Sequence, residues 1–160
     1  MKRKRGDVVV ETRELCMHFG GVRAVEQVDF TLYDRELRCL IGPNGAGKST
    51  FFKCLTGQLV PTSGEVLIRG HEMTGAEPFE IASLGVGIKT QVPNVFDGLT
   101  AEENIWLSAR RWHGESRARA LTAETIDRLD LGDIRRSLVG RLAHGQRQWV
   151  ELGMVVAAEP

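Results

Sequence analysis

Ten residues, Ile-Gly-Pro-Asn-Gly-Ala-Gly-Lys-Ser-Thr at positions 41–50, restrict what this chain can fold into more than any other stretch. They fit Gly-x-x-x-x-Gly-Lys-Ser/Thr, with Gly42, Gly47, Lys48 and Ser49 in the fixed places. An anion carrying several close negative charges needs many donors and no bulky side chain in its way. Glycines let the backbone curl so that successive N–H groups point inward, and they tolerate positive φ where the curl demands it. A helix opening at Gly47 or Lys48 adds the positive end of its dipole and its unpaired first-turn N–H groups. In such a loop Gly42, Pro43, Asn44, Gly45, Ala46, Gly47, Lys48, Ser49 and Thr50 surround a nucleotide's phosphates. Lys48 bridges the β- and γ-phosphates as a point charge, and the Ser49 hydroxyl is the candidate Mg²⁺ ligand.

The mechanism requires the order strand, loop, helix, and the flanks supply it. Residues 37–41 form a short apolar run that suits a buried parallel strand. Phe51, Phe52 and Leu55 then recur at helical spacing until Gly57 stops the helix. An ordinary glycine turn carrying Lys-Ser by chance is expected in about one chain in a hundred of this length. The phosphate reading is therefore preferred.

At 160 residues the chain is one ordinary domain or part of a larger one. Its 21 Lys and Arg balance 21 Asp and Glu, so no global field argues for nucleic acid or an acidic membrane surface. The basic run at residues 1–5 is read as a solvated tail, because no apolar segment follows it to make a secretory signal. Cys16, Cys39 and Cys54 are odd in number and widely spaced, and read as reduced core residues of a cytosolic protein.

Residues 8–12, the stretch around Leu15-Cys16-Met17, and residues 24–32 read as strands. Phe19 sits in the intervening turn, either folded onto the sheet or offering its face to a purine ring. A turn at residues 61–64 precedes a strand over 65–69, and Pro78 opens a short helix ended by Gly85. Residues 88–91 read as one more strand end. Helices follow: one capped by Thr100 with Glu103 reaching back, with Ile105, Trp106, Ala109 and Trp112 on its apolar face. A second runs from about 117 to 129, and a third starts near Gly145 with Trp149, Leu152, Gly153 and Val156 as its apolar stripe. The tryptophans are read as packing anchors.

Two later segments, taken with residues 41–50, resemble the ABC ATPases. Gln91-Val-Pro-Asn-Val-Phe96 followed by Leu99-Thr-Ala-Glu-Glu-Asn104 is similar to their glutamine loop and the opening of their helical subdomain. Leu142, Ala143, His144, Gly145 and Gln146 are similar to their signature sequence at the head of a helix. The spellings around Phe19, the phosphate loop and the signature resemble one branch, the ATP-binding subunits of bacterial importers for branched-chain amino acids, amides and urea. The resemblance implies an α/β fold of the P-loop NTPase class, with an antiparallel β subdomain and the first part of the core in residues 1–91. Residues 92–160 would form an α-helical subdomain ending in the signature helix.

It further implies ATP and Mg²⁺ as cofactors, Phe19 as the adenine platform, and Gln91 as a ligand to Mg²⁺ or to the attacking water. The signature would bind the γ-phosphate held by a second, facing ATPase subunit, in a symmetric dimer. Other implied partners are membrane-spanning permease subunits, with the protein peripheral on the cytoplasmic face of the membrane and no nucleic acid involved. A truncated binding module that turns nothing over and a soluble, non-transport ABC ATPase are the alternatives.

Three departures from the family pattern stand out. Ala143 replaces the usual Ser, removing one hydroxyl donor, and Thr90 replaces the aromatic that commonly precedes the glutamine. The chain also ends before the family's second half, with its Asp-Glu strand and its later histidine. The core sheet is accordingly expected to be incomplete, and residues 1–160 alone to bind ATP without hydrolysing it at the family's rate. Glu151 and Glu159, in or beyond the signature helix, would at best face the other subunit's site.

Overall fold

The computed structural model describes residues 6–90 and 92–160, so the basic run at 1–5 and Gln91 lie outside the described residues. The chain divides into two compact units, Met1–Leu84 and Gly85–Pro160.

The first unit is built on two long strands, β1 (Val8–Phe19) and β2 (Val22–Tyr33), joined by a tight turn at Gly20-Gly21. β3 (Ser63–Ile68) and the two-residue β4 (His71–Glu72) complete an antiparallel sheet in the order β2-β1-β3-β4. Strict alternation fails in β1, where Leu15, Cys16 and Met17 are all buried. The register shifts there, and Glu14 (φ 46°) and Gln27 (φ 45°) take left-handed backbone at bulges. Side chains satisfy the displaced amides: Glu14 N donates to Asp29 Oδ1 at 2.7 Å, and Gln27 N to Cys16 Sγ at 3.2 Å.

Two helices accompany the sheet. The first, α1 (Lys48–Leu55), buries Phe51 and Cys54, and Phe51 meets Phe30 of β2 edge to face at 5.5 Å. The second, α2 (Pro78–Ser83), opens on proline and buries Ile81 completely.

Residues 37–41 are not a strand, contrary to the sequence reading: they pair with no other segment, and Leu37 and Ile41 are 91% and 90% exposed. A strand exists only by pairing, and every ladder among the described residues belongs to the four antiparallel strands above. Cys39 is exposed with its segment, while Cys16 and Cys54 are buried as expected. Residues 88–90 are likewise unpaired and form no strand end.

The second unit packs α3 (Ala101–Arg110), α4 (Glu115–Arg128) and α5 (His144–Ala157), with two short 3-10 turns between the last two. Ile105, Ala109, Ala118, Leu121, Ile126 and Ala157 form its core. Thr100 caps α3 as the sequence predicts, accepting from Glu103 N at 3.2 Å while Glu103 Oε2 accepts from Thr100 N at 2.7 Å.

The stripe expected on α5 is rotated. Val150, Gly153 and Ala157 are buried, whereas Trp149 is 51% exposed. A β-carbon on Gly153 would lie 2.9 Å from Ile105 Cδ1, so α5 turns its smallest residue toward α3, and burial falls on Val150 in place of its neighbour Trp149. Trp112 lies past the end of α3, 42% exposed, with the Arg111 guanidinium 4.9 Å from its ring centre. Trp149 and Trp112 do not anchor the core, whereas Trp106, half-buried on α3, packs against it as expected.

Asn104 fixes the approach to α3. Fully buried, it accepts from Phe96 N at 2.8 Å and donates to Phe96 O at 3.0 Å and Thr100 O at 2.9 Å. Asn104→Ala leaves the Phe96 amide without its acceptor, a loss of about 1–3 kcal/mol, while the Phe96 and Thr100 carbonyls keep the Leu99 and residue-104 amides. Denaturant unfolding is expected to show a loss within that range, and a loss below about 0.5 kcal/mol, the level of a neutral surface change, would disprove it.

Candidate functional site

In the first unit the loop of residues 42–47 enters α1 through Gly47, whose φ of 79° is left-handed. The position admits no side chain, because a β-carbon would sit 2.0 Å from the Ala24 carbonyl oxygen of β2. The amide ladder of α1 begins with Phe51 N donating to Gly47 O at 2.8 Å. The earlier N–H groups of the first turn remain without ladder partners, as at every helix start. No acidic side chain lies in that turn to neutralise the positive end of the dipole.

The Lys48 ammonium folds back over the loop, donating to Gly42 O at 2.7 Å and Pro43 O at 2.6 Å. Gly42, Pro43, Asn44, Gly45, Ala46 and Ser49 are exposed, and Lys48 and Thr50 half-buried. A hollow of about 220 Å³ lies against this loop, lined by Val25, Phe30, Ile41, Gly47, Lys48 and Phe51. A glycine-rich loop, a dipole end and a cation held over the loop make this a place for a polyanion. Phe19 ends β1 at 47% exposure, which leaves its ring face open. The Ser49 hydroxyl, exposed at the start of α1, is the hard oxygen donor that Mg²⁺ prefers.

In the second unit Ala143, His144, Gly145 and Gln146 form the exposed first turn of α5, with Leu142 half-buried before it. Ala143 is the N-cap and has no acceptor to offer. Half of the capping exchange survives, since Gln146 Oε1 accepts from Ala143 N at 3.0 Å. Arg147 ties down the entry, donating to Gly140 O at 2.7 Å and Leu142 O at 3.2 Å. Nothing lies within 4 Å of the place a Gly145 β-carbon would occupy, so that turn presents open backbone.

Glu151, two turns into α5, is a residue whose place the sequence reading mistook. It is 3% exposed and turned into its own unit, not toward an outside site. Its Oε1 accepts from Thr90 Oγ1 at 2.7 Å, Asn94 N at 3.1 Å and Thr90 N at 3.4 Å, and its Oε2 faces Lys89 Nζ at 2.9 Å. Burial pushes the carboxyl up, but the hydrogen bonds from Thr90, Lys89 and Asn94 outweigh it and hold the group below the ordinary carboxylate range. The only sequence signal was a carboxylate beside the apolar residues of a helix. Glu159 is also engaged, with Arg117 at 2.6 Å and His113 at 3.4 Å.

Residues 25–160 match the ABC transporter family. The chain is similar to the high-affinity branched-chain amino acid transport ATP-binding protein LivG of Escherichia coli K12, at 34% identity over 91% of this chain and 64% of LivG. It is also similar to the ribose import ATP-binding protein RbsA of Rhodococcus jostii, at 37% identity over 84% of this chain and 25% of that protein. Among solved structures, an ATP-binding subunit of an ABC transporter superposes with a TM-score of 0.85 at 25% identity, over 95% of this chain and 63% of the other. The chain thus spans 64% of the length of LivG.

The close approach at residue 47 yields a test of the loop. Gly47→Ala combines a left-handed backbone, costing an L-residue about 1–2 kcal/mol, with a methyl group that the Ala24 carbonyl already excludes. Affinity for inorganic triphosphate, measured by calorimetry, is expected to fall by about tenfold or more, equivalent to 1.4 kcal/mol. Unchanged affinity would show that the curl at Gly47 has no part in anion binding.

Proposed function

Because the chain belongs to the ABC transporter family, we propose that it is the ATP-binding part of a bacterial importer, of the type that carries branched-chain amino acids, amides or urea. The observation that carries this reading is the loop of residues 42–50 curled around the Lys48 ammonium at the head of α1. Two loop carbonyls hold that ammonium, and the oxygens of a β,γ-phosphate are stronger acceptors for it because they are charged. The amides of the loop and first turn take the remaining phosphate oxygens. Phe19 stacks on the adenine, a contact that gives affinity with little base selectivity.

Magnesium fits what the loop offers. The Ser49 hydroxyl belongs to an exposed residue and is an oxygen donor, and the amide oxygen of Gln91 would be a second ligand. When bound, the ion neutralises charge as the terminal phosphoryl leaves. The chain's own contribution is positioning: Lys48 and the loop amides fix the phosphates, and Gln91 orients the attacking water.

The open first turn of α5, at residues 143–146, suits the γ-phosphate of a nucleotide on a second subunit, so that ATP closes a symmetric pair. Closing and reopening of that pair would drive a membrane-spanning permease. No helix among the described residues is long and apolar enough to cross a membrane itself. Attachment to the membrane through such a partner is part of this reading.

Two substitutions in the full-length protein test the reading. Lys48→Ala removes charge-assisted bonds worth about 1.5–3 kcal/mol each, and affinity for Mg-ATP is expected to drop roughly a hundredfold. Calorimetric titration giving wild-type affinity would refute the assignment. Phe19→Ala should cost ATP and GTP alike about 1–3 kcal/mol, while inorganic triphosphate binds as before. An equal loss for triphosphate would mark Phe19 as a packing residue.

A further inference from the structure

The Glu151 carboxylate sits where a charge would be costly without compensation: 3% exposed, among the apolar residues of α5. Its compensation comes from one short segment. Thr90 gives its amide and its hydroxyl, Asn94 its amide, and Lys89 its ammonium. The same lysine also donates to Gln148, one turn earlier on the same face of α5, and to Thr90 O at 2.7 Å. The Thr90 hydroxyl, 2.6 Å from Val92 O as well, has a single proton to share between that carbonyl and the carboxylate. A stretch of chain with no ladder or helix of its own is thus bound at residues 89, 90 and 94 to one side chain of a rigid helix.

We propose that Glu151 is a positioning residue: it grips the chain at Thr90 and Asn94, which flank Gln91 in the sequence, and turnover depends on that grip. The physical argument is one of degrees of freedom. Fixing a residue's backbone costs about 1–2 kcal/mol, and residues 89, 90 and 94 lie in no helix or ladder that would supply it. The carboxylate supplies it by accepting from the amides of Thr90 and Asn94 and from the Thr90 hydroxyl. The helix that carries Glu151 also carries the open turn at residues 143–146, so one rigid element positions both segments. The role in turnover rests on the ATPase reading above; the tether itself does not.

Glu151→Ala, Glu151→Gln and Thr90→Val in the full-length protein separate the two. Amide hydrogen exchange is the first measurement. In Glu151→Ala the amides of residues 90–94 are expected to exchange at least tenfold faster, with those of α3 and α4 unchanged. Glu151→Gln keeps a carbonyl oxygen for the Thr90 and Asn94 amides and should recover most of the protection. Thr90→Val, which removes only the hydroxyl, should loosen the same segment to a smaller degree and remains informative should Glu151→Ala fail to fold.

Steady-state hydrolysis is the second measurement: kcat should fall about tenfold in Glu151→Ala while KM for ATP, set by the phosphate loop, stays within about twofold. Wild-type exchange at residues 90–94 in Glu151→Ala and Thr90→Val would overturn the tether. Faster exchange with unchanged kcat would overturn its role in turnover. Wild-type protein that binds no nucleotide would instead defeat the ATPase reading, and the exchange arm would still decide whether Glu151 holds the segment.

Discussion

The backbone at Gly47 runs so close to β2 that a β-carbon there would meet the Ala24 carbonyl at 2.0 Å. This contact joins the phosphate loop to the sheet. It sets α1 against β2, where Phe51 and Phe30 complete the packing at 5.5 Å. It also aims Lys48 back over the loop, within reach of the Gly42 and Pro43 carbonyls. The left-handed turn, the helix start and the cation all follow from one missing side chain. A loop built this way is rigid where it must curl and open where it must receive an anion.

The second unit uses a different device. Its irregular segments are held by two buried polar side chains, Asn104 for residues 96–100 and Glu151 for residues 89–94. Asn104 directs its bonds to backbone groups, and Glu151 joins two backbone amides to the Thr90 hydroxyl and the Lys89 ammonium. Buried polar groups that are satisfied in this way specify one conformation, because any alternative leaves a donor or a charge without a partner. The α-helical core beneath them is ordinary by comparison, with Ile105 packed against the glycine at 153. Precision in this unit comes from polar contacts, and bulk stability from Ile105, Leu121, Ile126 and their neighbours.

Much of this architecture was legible because it is governed by neighbours in the chain. The loop at 42–47 and its helix, the Thr100–Glu103 capping box, the proline start of α2 and the hairpin through Gly20-Gly21 all depend on residues within four positions of one another. Such features carry their own geometry: a cap requires a particular side chain three residues from a particular amide. The missing hydroxyl at Ala143 was readable for the same reason, and the structure shows Gln146 closing half of that box alone.

The readings that failed depended on distant residues. The apolar run at 37–41 has strand composition, but pairing is a property of two segments, and composition cannot provide the second. On α5 the expected stripe already held Gly153, and the fold shifted burial to Val150 and Ala157 on either side of it, where α3 comes close. Helical periodicity alone cannot weigh a bulky stripe against a close crossing. Glu151 was expected at best to face another subunit's site, but the fold placed Thr90 and Asn94 around it, 61 and 57 positions away in sequence. The sequence by itself determined which chemistry the loop can perform and where most helices and turns begin, since those rest on local sterics and hydrogen bonding. Only the tertiary structure decided which faces are buried and which charge is enclosed, because burial is settled by whatever the folded chain brings alongside.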